Sequence, residues 1–215
     1  MTFKLNDYVI IKNAISKELA DFIYKYFLLK RQVAKTYFET NHIEKNNTDY
    51  GTWLEKQVPN TYSVYSDIVM ETLLTEVMPK MEDITNLKLI PTYSYARIYK
   101  YGDVLAKHKD RPSCEISTTL NLGGEFWPIY LKSKNGNEVR IDLSPGDMLI
   151  YKGCQLEHWR EKFTGQNCGQ VFLHYNNKET KGSVDNIYDG RPHLGLSPSI
   201  NKFLAIRQFT KESKR

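Results

Sequence analysis

The sequence predicts an α+β fold in which helices near the N-terminus pack against one side of a β-sandwich or jelly roll. Helical patterns cover residues 16–27 and 66–81, whereas short strand-like runs separated by turn signals follow one another from residue 87 onward. The length of 215 residues suits one well-buried core and is short for two.

The N-terminal region begins with a strand predicted over residues 7–12, where β-branched side chains are dense. Ser16 has the character of a helix N-cap. The apolar residues after it recur at helical spacing, namely Leu19, Phe22, Ile23, Tyr26 and Phe27. A polar, turn-rich stretch predicts a long loop over 40–62. A second helix is predicted over 66–81, disturbed near its end by Pro79.

From residue 87 the pattern changes to strands. Each run is short and rich in β-branched or aromatic residues, and turn signals such as Asn135-Gly136 separate the runs. The predicted strands cover residues 89–101, 115–122, 127–131, 138–143, 148–151 and 170–175. A short helix is predicted over 199–209. We expect one domain over 1–215, with helical support at 1–86, a jelly-roll core at 87–176 and a wrapping tail at 177–215.

The composition is that of an ordinary globular protein, with 40% hydrophobic and 26% charged residues. No apolar run approaches the length of a membrane span, and the first residues lack a signal-peptide pattern, so a cytoplasmic location is expected. The net charge of +5 predicts a solvated basic surface rather than a nucleic-acid-binding face. Cys114, Cys154 and Cys168 lack paired spacing, which predicts buried thiols rather than disulfides or zinc ligands.

Three residues, His108, Asp110 and His158, form a candidate metal site. Side chains alternate faces along an extended strand, so His108 and Asp110 point the same way. His158 follows a separate apolar strand that can pass nearby. Two imidazoles and one carboxylate leave other metal positions open, as in non-haem Fe(II) centres that also hold a cosubstrate and dioxygen. An H-x-D triplet and a single histidine are each common, so these three residues alone do not establish a metal site. The flanking sequence is needed to support it.

The flanking sequence carries two further motifs. Tyr99-Lys100-Tyr101-Gly102 precedes the H-x-D triplet, and the turn Pro145-Gly146-Asp147 with a buried strand precedes His158. This combination resembles the Fe(II)/2-oxoglutarate-dependent dioxygenases, specifically their prolyl-hydroxylase-like branch. The match covers roughly residues 89–176, and the strand and helix over 7–28 are similar to the opening of that family.

The resemblance implies a double-stranded β-helix, or jelly roll, with Fe(II) held by His108, Asp110 and His158. It implies 2-oxoglutarate and O2 as cosubstrates, with ascorbate as a supporting reductant. The implied reaction couples decarboxylation of 2-oxoglutarate and reduction of O2 to hydroxylation of a substrate C–H bond. A prolyl residue in a peptide or protein, or a free amino acid, is the expected substrate. Related halogenases replace the carboxylate with a small residue, so Asp110 disfavours halogenation.

The chain departs from the family where the distal carboxylate of 2-oxoglutarate is normally anchored by Arg or Lys. The corresponding positions are Asn167, Cys168, Gly169 and Gln170, none of them basic. Arg160 is the nearest candidate, since it shares a face with His158 in an extended segment and its planar fork suits a carboxylate. Alternatively, Arg160 is a surface residue paired with Glu157 or Glu161.

Arg97 is a second candidate anchor. It shares a strand face with Tyr93, Tyr95 and Tyr99, so either all four line a pocket or all four pack elsewhere.

Two polar residues of this sequence match cosubstrate-binding positions of that family. Tyr99 matches a tyrosine that donates a hydrogen bond to the cosubstrate, and Thr119 matches a Tyr or Thr that faces its distal carboxylate. Ordinary strand packing is the alternative for both.

His174 lies on the last predicted strand, where core or surface use is favoured over a place in the pocket. His42 and His193 lie in polar surroundings that give no reason to expect ligation.

Two other functions remain open at this level. A non-catalytic metal-binding jelly roll of the cupin sort would explain the missing downstream anchor. A nucleic-acid-directed oxygenase is less favoured, because the basic tail is its only support and no groove-reading motif is present. The expected partners are a small-molecule, peptide or protein substrate, without a membrane.

Overall fold

The computed structural model describes residues 2–44 and 46–200, in which helices pack on one of two antiparallel sheets. The helices are α1 (Phe3–Asn6), α2 (Lys17–Glu39) and α3 (Ile68–Thr85). The strands are β1 (Tyr8–Ile11), β2 (Tyr62–Tyr65), β3 (Leu89–Lys100), β4 (Leu105–His108), β5 (Ile116–Gly124), β6 (Ile129–Lys132), β7 (Glu138–Ile141), β8 (Met148–Tyr151), β9 (His158–Arg160) and β10 (Asn167–Asn177).

The larger sheet has six strands in the order β1-β8-β5-β10-β3-β2, and the smaller has four in the order β4-β9-β6-β7. The N-terminal helices pack against the larger sheet, where α2 contacts β5 and α3 contacts β3 and β10. A large apolar cluster fills the space between these helices and the sheet. The α+β class and the packing of helices on one sheet are therefore as predicted.

Helix α2 starts where the sequence indicates, because the Ser16 side chain accepts a hydrogen bond from the Leu19 backbone N–H at 3.2 Å. Its buried face is formed by Ala20, Ile23, Phe27 and Ala34. Leu19 and Phe22 belong to the predicted apolar stripe but are largely exposed. The predicted stripe was therefore wrong at two positions, because the buried face is centred on residues that include two alanines, Ala20 and Ala34.

Helix α3 continues through Pro79 to Thr85, beyond the predicted end at residue 81. Proline removes one backbone donor, and the carbonyl that loses its partner belongs to Thr75. Both residues are exposed, so water can satisfy that carbonyl at little cost. The helix ends instead at Asn86, which adopts a left-handed conformation and donates its N–H to the Glu82 carbonyl.

Strand β2 was not predicted, since it has only four residues and lacks a periodic signal of its own. Strands β4 and β9 were not among the predicted strand ranges, although extended backbone was expected around His108 and from His158 to Arg160. The 40–62 stretch is largely irregular as expected, although its last residue, Tyr62, begins β2.

All three cysteines are free, with Cys114 and Cys168 buried and Cys154 partly exposed. The helix predicted over 199–209 lies outside the described residues beyond residue 200. No described helix combines the length and apolar character needed to cross a membrane.

The segment after β10 returns to α3 through a buried ion pair. The Arg191 Nη2 lies 2.8 Å from Glu71 Oε1, and both side chains are almost fully excluded from solvent. Glu71 also accepts the backbone N–H of Ser94 at 3.1 Å, so this carboxylate joins helix, sheet and C-terminal segment.

We expect Arg191→Met to lower the free energy of unfolding by about 3–5 kcal/mol, because it leaves the Glu71 carboxylate buried and unpaired. Urea denaturation followed by circular dichroism measures the change. The matched control is Lys25→Met, which breaks an exposed pair with Asp21 and should cost at most about 1 kcal/mol. Equal losses in the two variants would contradict a structural role for the buried pair.

Candidate metal centre and adjoining cavity

The side chains of His108, Asp110 and His158 converge at the end of the smaller sheet. His108 ends β4 and lies opposite His158, the first residue of β9. Asp110 Oδ1 is 3.7 Å from His108 Nε2 and 3.5 Å from His158 Nε2. The three ligand atoms lie within 4.8 Å of one another, a spacing that could hold one metal ion.

Both imidazoles are oriented by their own backbone. His108 Nδ1 is 2.8 Å from the Ala106 carbonyl, and His158 Nδ1 is 3.0 Å from the Leu156 carbonyl. A carbonyl only accepts hydrogen bonds, so each Nδ1 carries a proton. In the neutral ring, Nε2 on the Asp110 side then has the free lone pair that can bind a metal. Burial, reinforced by the neighbouring His158, lowers the pKa of His108, which favours the neutral form that binds metals.

Asp110 is held by the turn that precedes His158. Its backbone N–H donates to the Gly153 carbonyl at 3.0 Å, and its Oδ2 accepts from the Ser117 hydroxyl at 2.7 Å. Burial raises the pKa of Asp110, but the hydrogen bonds and nearby imidazoles outweigh it, so the pKa lies well below its usual range. The group is therefore an ionised carboxylate at neutral pH.

A cavity of about 430 Å³ opens beside these three residues. The four β3 side chains that share a face, Tyr93, Tyr95, Arg97 and Tyr99, all line it. Phe172 and His174 of β10 form part of the wall, as does Tyr151 of β8. The expectation that His174 serves the core or surface was therefore wrong. His174 of β10 pairs with Tyr93 of β3, and both side chains line the cavity.

Arg97 lies in the cavity wall but already has a carboxylate partner. Its Nη2 is 2.6 Å from Glu55 Oε2, and Nη1 and Nη2 are both 3.3 Å from the Gln57 amide oxygen. Its guanidinium also donates to the hydroxyls of Tyr95 and Tyr99, at 3.2 Å and 3.4 Å. Glu55 and Gln57 belong to the long irregular segment, which is thereby tied to the edge of the cavity.

Arg160 is buried, with 1% of its surface exposed, so the alternative of a surface pair with Glu157 or Glu161 was wrong. Its Nη1 donates to the Trp127 carbonyl at 2.5 Å, and its Nη2 to Thr119 Oγ1 at 3.3 Å. Among the described residues, no carboxylate lies within ion-pair distance, and its Nε has no partner. Burial lowers the pKa of this guanidinium.

Arg160 does not line the cavity. It is buried close enough to two lining residues, Tyr99 and Tyr151, for its charge to act on both. Thr119 is fully buried beside Arg160 and also donates to the Gln170 amide oxygen at 3.1 Å. The structure thus brings Tyr99, Thr119 and Arg160 together.

The remaining histidines lie apart from the metal centre. His42 stacks on Tyr37, with ring centroids 5.0 Å apart, and His193 is exposed, its Nδ1 near a neighbouring carbonyl.

The contribution of the irregular segment through Glu55 was missed, because no local pattern links position 55 to Arg97. Strand alternation could have placed Ser117 on the same face as Thr119.

Gly153 has a steric role that can be tested. A Cβ built on it would lie 2.3 Å from Asp110 Oδ2 and 2.5 Å from Ser117 Oγ, so Gly153→Ala must displace the carboxylate. We expect about tenfold or greater weakening of Mn(II) binding, measured by electron paramagnetic resonance.

The control for this substitution is Gly136→Ala, where a Cβ meets nothing within 4 Å and only the positive φ opposes alanine. Mn(II) affinity should be unchanged in that variant. Wild-type affinity in Gly153→Ala would show that Asp110 does not need its observed position.

Comparison of the sequence with protein-family models and with curated proteins finds no match. Comparison of the fold with solved structures does. A prolyl-4-hydroxylase from Pseudomonas putida aligns with a TM-score of 0.61 and 10% identity, covering 82% of this chain and 95% of the other. HygX from Streptomyces hygroscopicus, solved with nickel and 2-oxoglutarate, aligns with a TM-score of 0.58 and 12% identity, covering 82% and 85%.

A third similar structure is a prolyl hydroxylase from Trichoplax adhaerens in complex with a hypoxia-inducible-factor peptide. It has a TM-score of 0.57 and 11% identity, with 82% of this chain and 86% of the other aligned. The identities are too low to transfer activity. The resemblance to prolyl-hydroxylase-like 2-oxoglutarate oxygenases, predicted from sequence motifs, is therefore confirmed at the level of the fold.

Proposed function

We propose that this protein is an Fe(II)/2-oxoglutarate-dependent oxygenase that hydroxylates a substrate C–H bond. The observation that carries the proposal is the convergence of His108, Asp110 and His158 beside a cavity. Arg160, which has no carboxylate partner among the described residues, is buried near the lining residues Tyr99 and Tyr151. The fold shared with prolyl hydroxylases and with a 2-oxoglutarate-bound enzyme supports it. We further propose that the two sheets form a double-stranded β-helix.

The donor set fits Fe(II). Two imidazoles and one carboxylate would supply three ligands to one ion and leave its other positions for exchangeable ligands. The Nδ1 hydrogen bonds of His108 and His158 to backbone carbonyls fix the ring orientation, as is usual around protein metal sites. When bound, iron would supply the activation of O2 coupled to decarboxylation of 2-oxoglutarate.

Arg160 fits the distal carboxylate of 2-oxoglutarate. A guanidinium buried without a counter-ion is costly, and a bound dianion would compensate its charge. The Thr119 hydroxyl accepts a hydrogen bond from Arg160, and Tyr99, on whose hydroxyl the charge of Arg160 acts, lines the cavity and could donate a hydrogen bond to the cosubstrate. Since Arg160 does not itself line the cavity, we infer that Tyr99 or Trp127 shifts slightly when the cosubstrate binds.

The substrate would enter over the wall formed by Tyr93, Tyr95 and Phe172, which is aromatic and largely shielded from water. A dry pocket limits side reactions and strengthens the interactions that orient the reacting C–H bond. Among the similar structures, the Trichoplax adhaerens prolyl hydroxylase is in complex with a peptide, and HygX has been solved with hygromycin B bound. We propose a prolyl or other aliphatic carbon in a peptide, protein or free amino acid as the target.

Anaerobic addition of 2-oxoglutarate to the Fe(II)-loaded protein should produce a weak visible charge-transfer band, because the keto acid chelates the iron. Asp110→Ala should abolish the band by removing a ligand. A non-catalytic cupin-like protein would bind Fe(II) without the band. Absence of both the band and 2-oxoglutarate-dependent succinate formation in the wild type would exclude the oxygenase.

Arg160→Met should weaken 2-oxoglutarate binding to the Mn(II)-loaded protein by about 10–100-fold, since a hydrogen bond to a charged group contributes about 1.5–3 kcal/mol. Calorimetry measures the dissociation constant, and Mn(II) affinity should be unchanged.

The matched control for this variant is Arg97→Met, which removes a buried arginine that already has Glu55 as its partner. It should leave 2-oxoglutarate affinity near the wild-type value. The opposite ranking of the two variants would move the anchor to Arg97.

A further inference from the structure

We propose that Ser117 and His174 form a hydrogen-bond chain that positions the Asp110 carboxylate for metal binding, which rests on the proposed metal site. His174 and Ser117 lie on neighbouring strands, β10 and β5, and are paired in register. The chain runs from His174 Nδ1 to Ser117 Oγ over 3.0 Å and from Ser117 Oγ to Asp110 Oδ2 over 2.7 Å.

The direction of these hydrogen bonds follows from proton counting. Ser117 Oγ has one proton and three polar neighbours, the third being the Cys114 carbonyl at 3.0 Å. Asp110 is ionised and can only accept, and its contact is the shortest, so the serine proton points to Asp110 Oδ2. The serine oxygen then needs a donor on its other side, and His174 Nδ1 must provide it.

His174 is suited to this role because its environment keeps it neutral and packs its ring against an aromatic side chain. Burial lowers its pKa to about 4, although the nearby Asp110 opposes the shift. Its ring packs on Tyr93, with ring centroids 4.6 Å apart, and Tyr93 in turn stacks on Tyr65. The proton on Nδ1 leaves a lone pair on Nε2, as the neutral imidazole requires.

The hydrogen-bond chain gives the two Asp110 carboxylate oxygens different roles. Oδ2 is occupied by Ser117, while Oδ1 faces the two histidine Nε2 atoms. A carboxylate held in this way presents one oxygen to the metal and cannot rotate to offer both. Ser117 and His174 are therefore positioning residues, which act on the metal through Asp110 without contacting it.

The first test measures metal affinity rather than turnover. Ser117→Ala should weaken Mn(II) binding by about 10–100-fold, the range typical of losing a partner of a metal ligand. The matched control is Ser94→Ala, since Ser94 is a fully buried serine of the same sheet whose hydroxyl has no hydrogen-bond partner within residues 2–44 and 46–200. Thermal unfolding of the metal-free variants shows that each is folded.

The second test uses replacements of His174 that keep or remove the donor. In His174→Asn, the side-chain NH2 is expected near the position of Nδ1 and can donate to Ser117, so Mn(II) affinity should stay near the wild-type value. His174→Leu retains a buried apolar side chain without a donor and should weaken binding like Ser117→Ala. Nitrogen-15 NMR of the Zn(II)-loaded wild type should show the Nδ1–H tautomer for His174.

The outcomes separate this inference from the proposed function. If Asp110→Ala leaves Mn(II) affinity unchanged, the metal site itself is wrong. If Asp110→Ala weakens binding but Ser117→Ala and His174→Leu match Ser94→Ala, the metal site stands and the positioning chain is refuted. Equal weakening in His174→Asn and His174→Leu, or an Nε2–H tautomer, would also refute the direction of the chain.

Discussion

The antiparallel pairing of β4 with β9 is the contact on which the candidate site depends. It sets His108 opposite His158, so that the two imidazole centroids lie 4.2 Å apart. Strand pairing fixes the distance between backbones, and side chains opposite each other in a ladder therefore meet without further adjustment. The Gly153 turn before β9 binds the backbone of Asp110. One turn and one strand pair thus assemble all three residues.

Among the described residues, three arginines are almost fully buried, and they differ in whether a carboxylate neutralises them. Arg191 is neutralised by Glu71 inside the helix-to-sheet contact, and Arg97 by Glu55 at the cavity edge. Arg160 has only neutral acceptors among the described residues. A buried cation without a counter-ion opposes folding. Under the proposed function, the distal carboxylate of 2-oxoglutarate would supply the counter-ion that Arg160 lacks among the described residues.

Much of the fold was predictable because local geometry repeats. The α2 cap, the long irregular segment and the strands from residue 89 onward follow from caps, turn residues and alternation. Prediction was wrong where a tertiary contact overrides the local pattern. The Phe22 side chain fits the apolar stripe but faces solvent, and α3 passes through Pro79 because its freed carbonyl is exposed.

The sequence by itself determined which side chains share a face, since alternation along a strand follows from backbone geometry alone. That was enough to group His108 with Asp110, and Arg97 with its neighbouring tyrosines. Only the tertiary structure decided that Arg160 is buried and that His174 reaches the Asp110 carboxylate through Ser117. These contacts join strands far apart in the chain, and their register is set by sheet pairing and core packing, which no local pattern encodes.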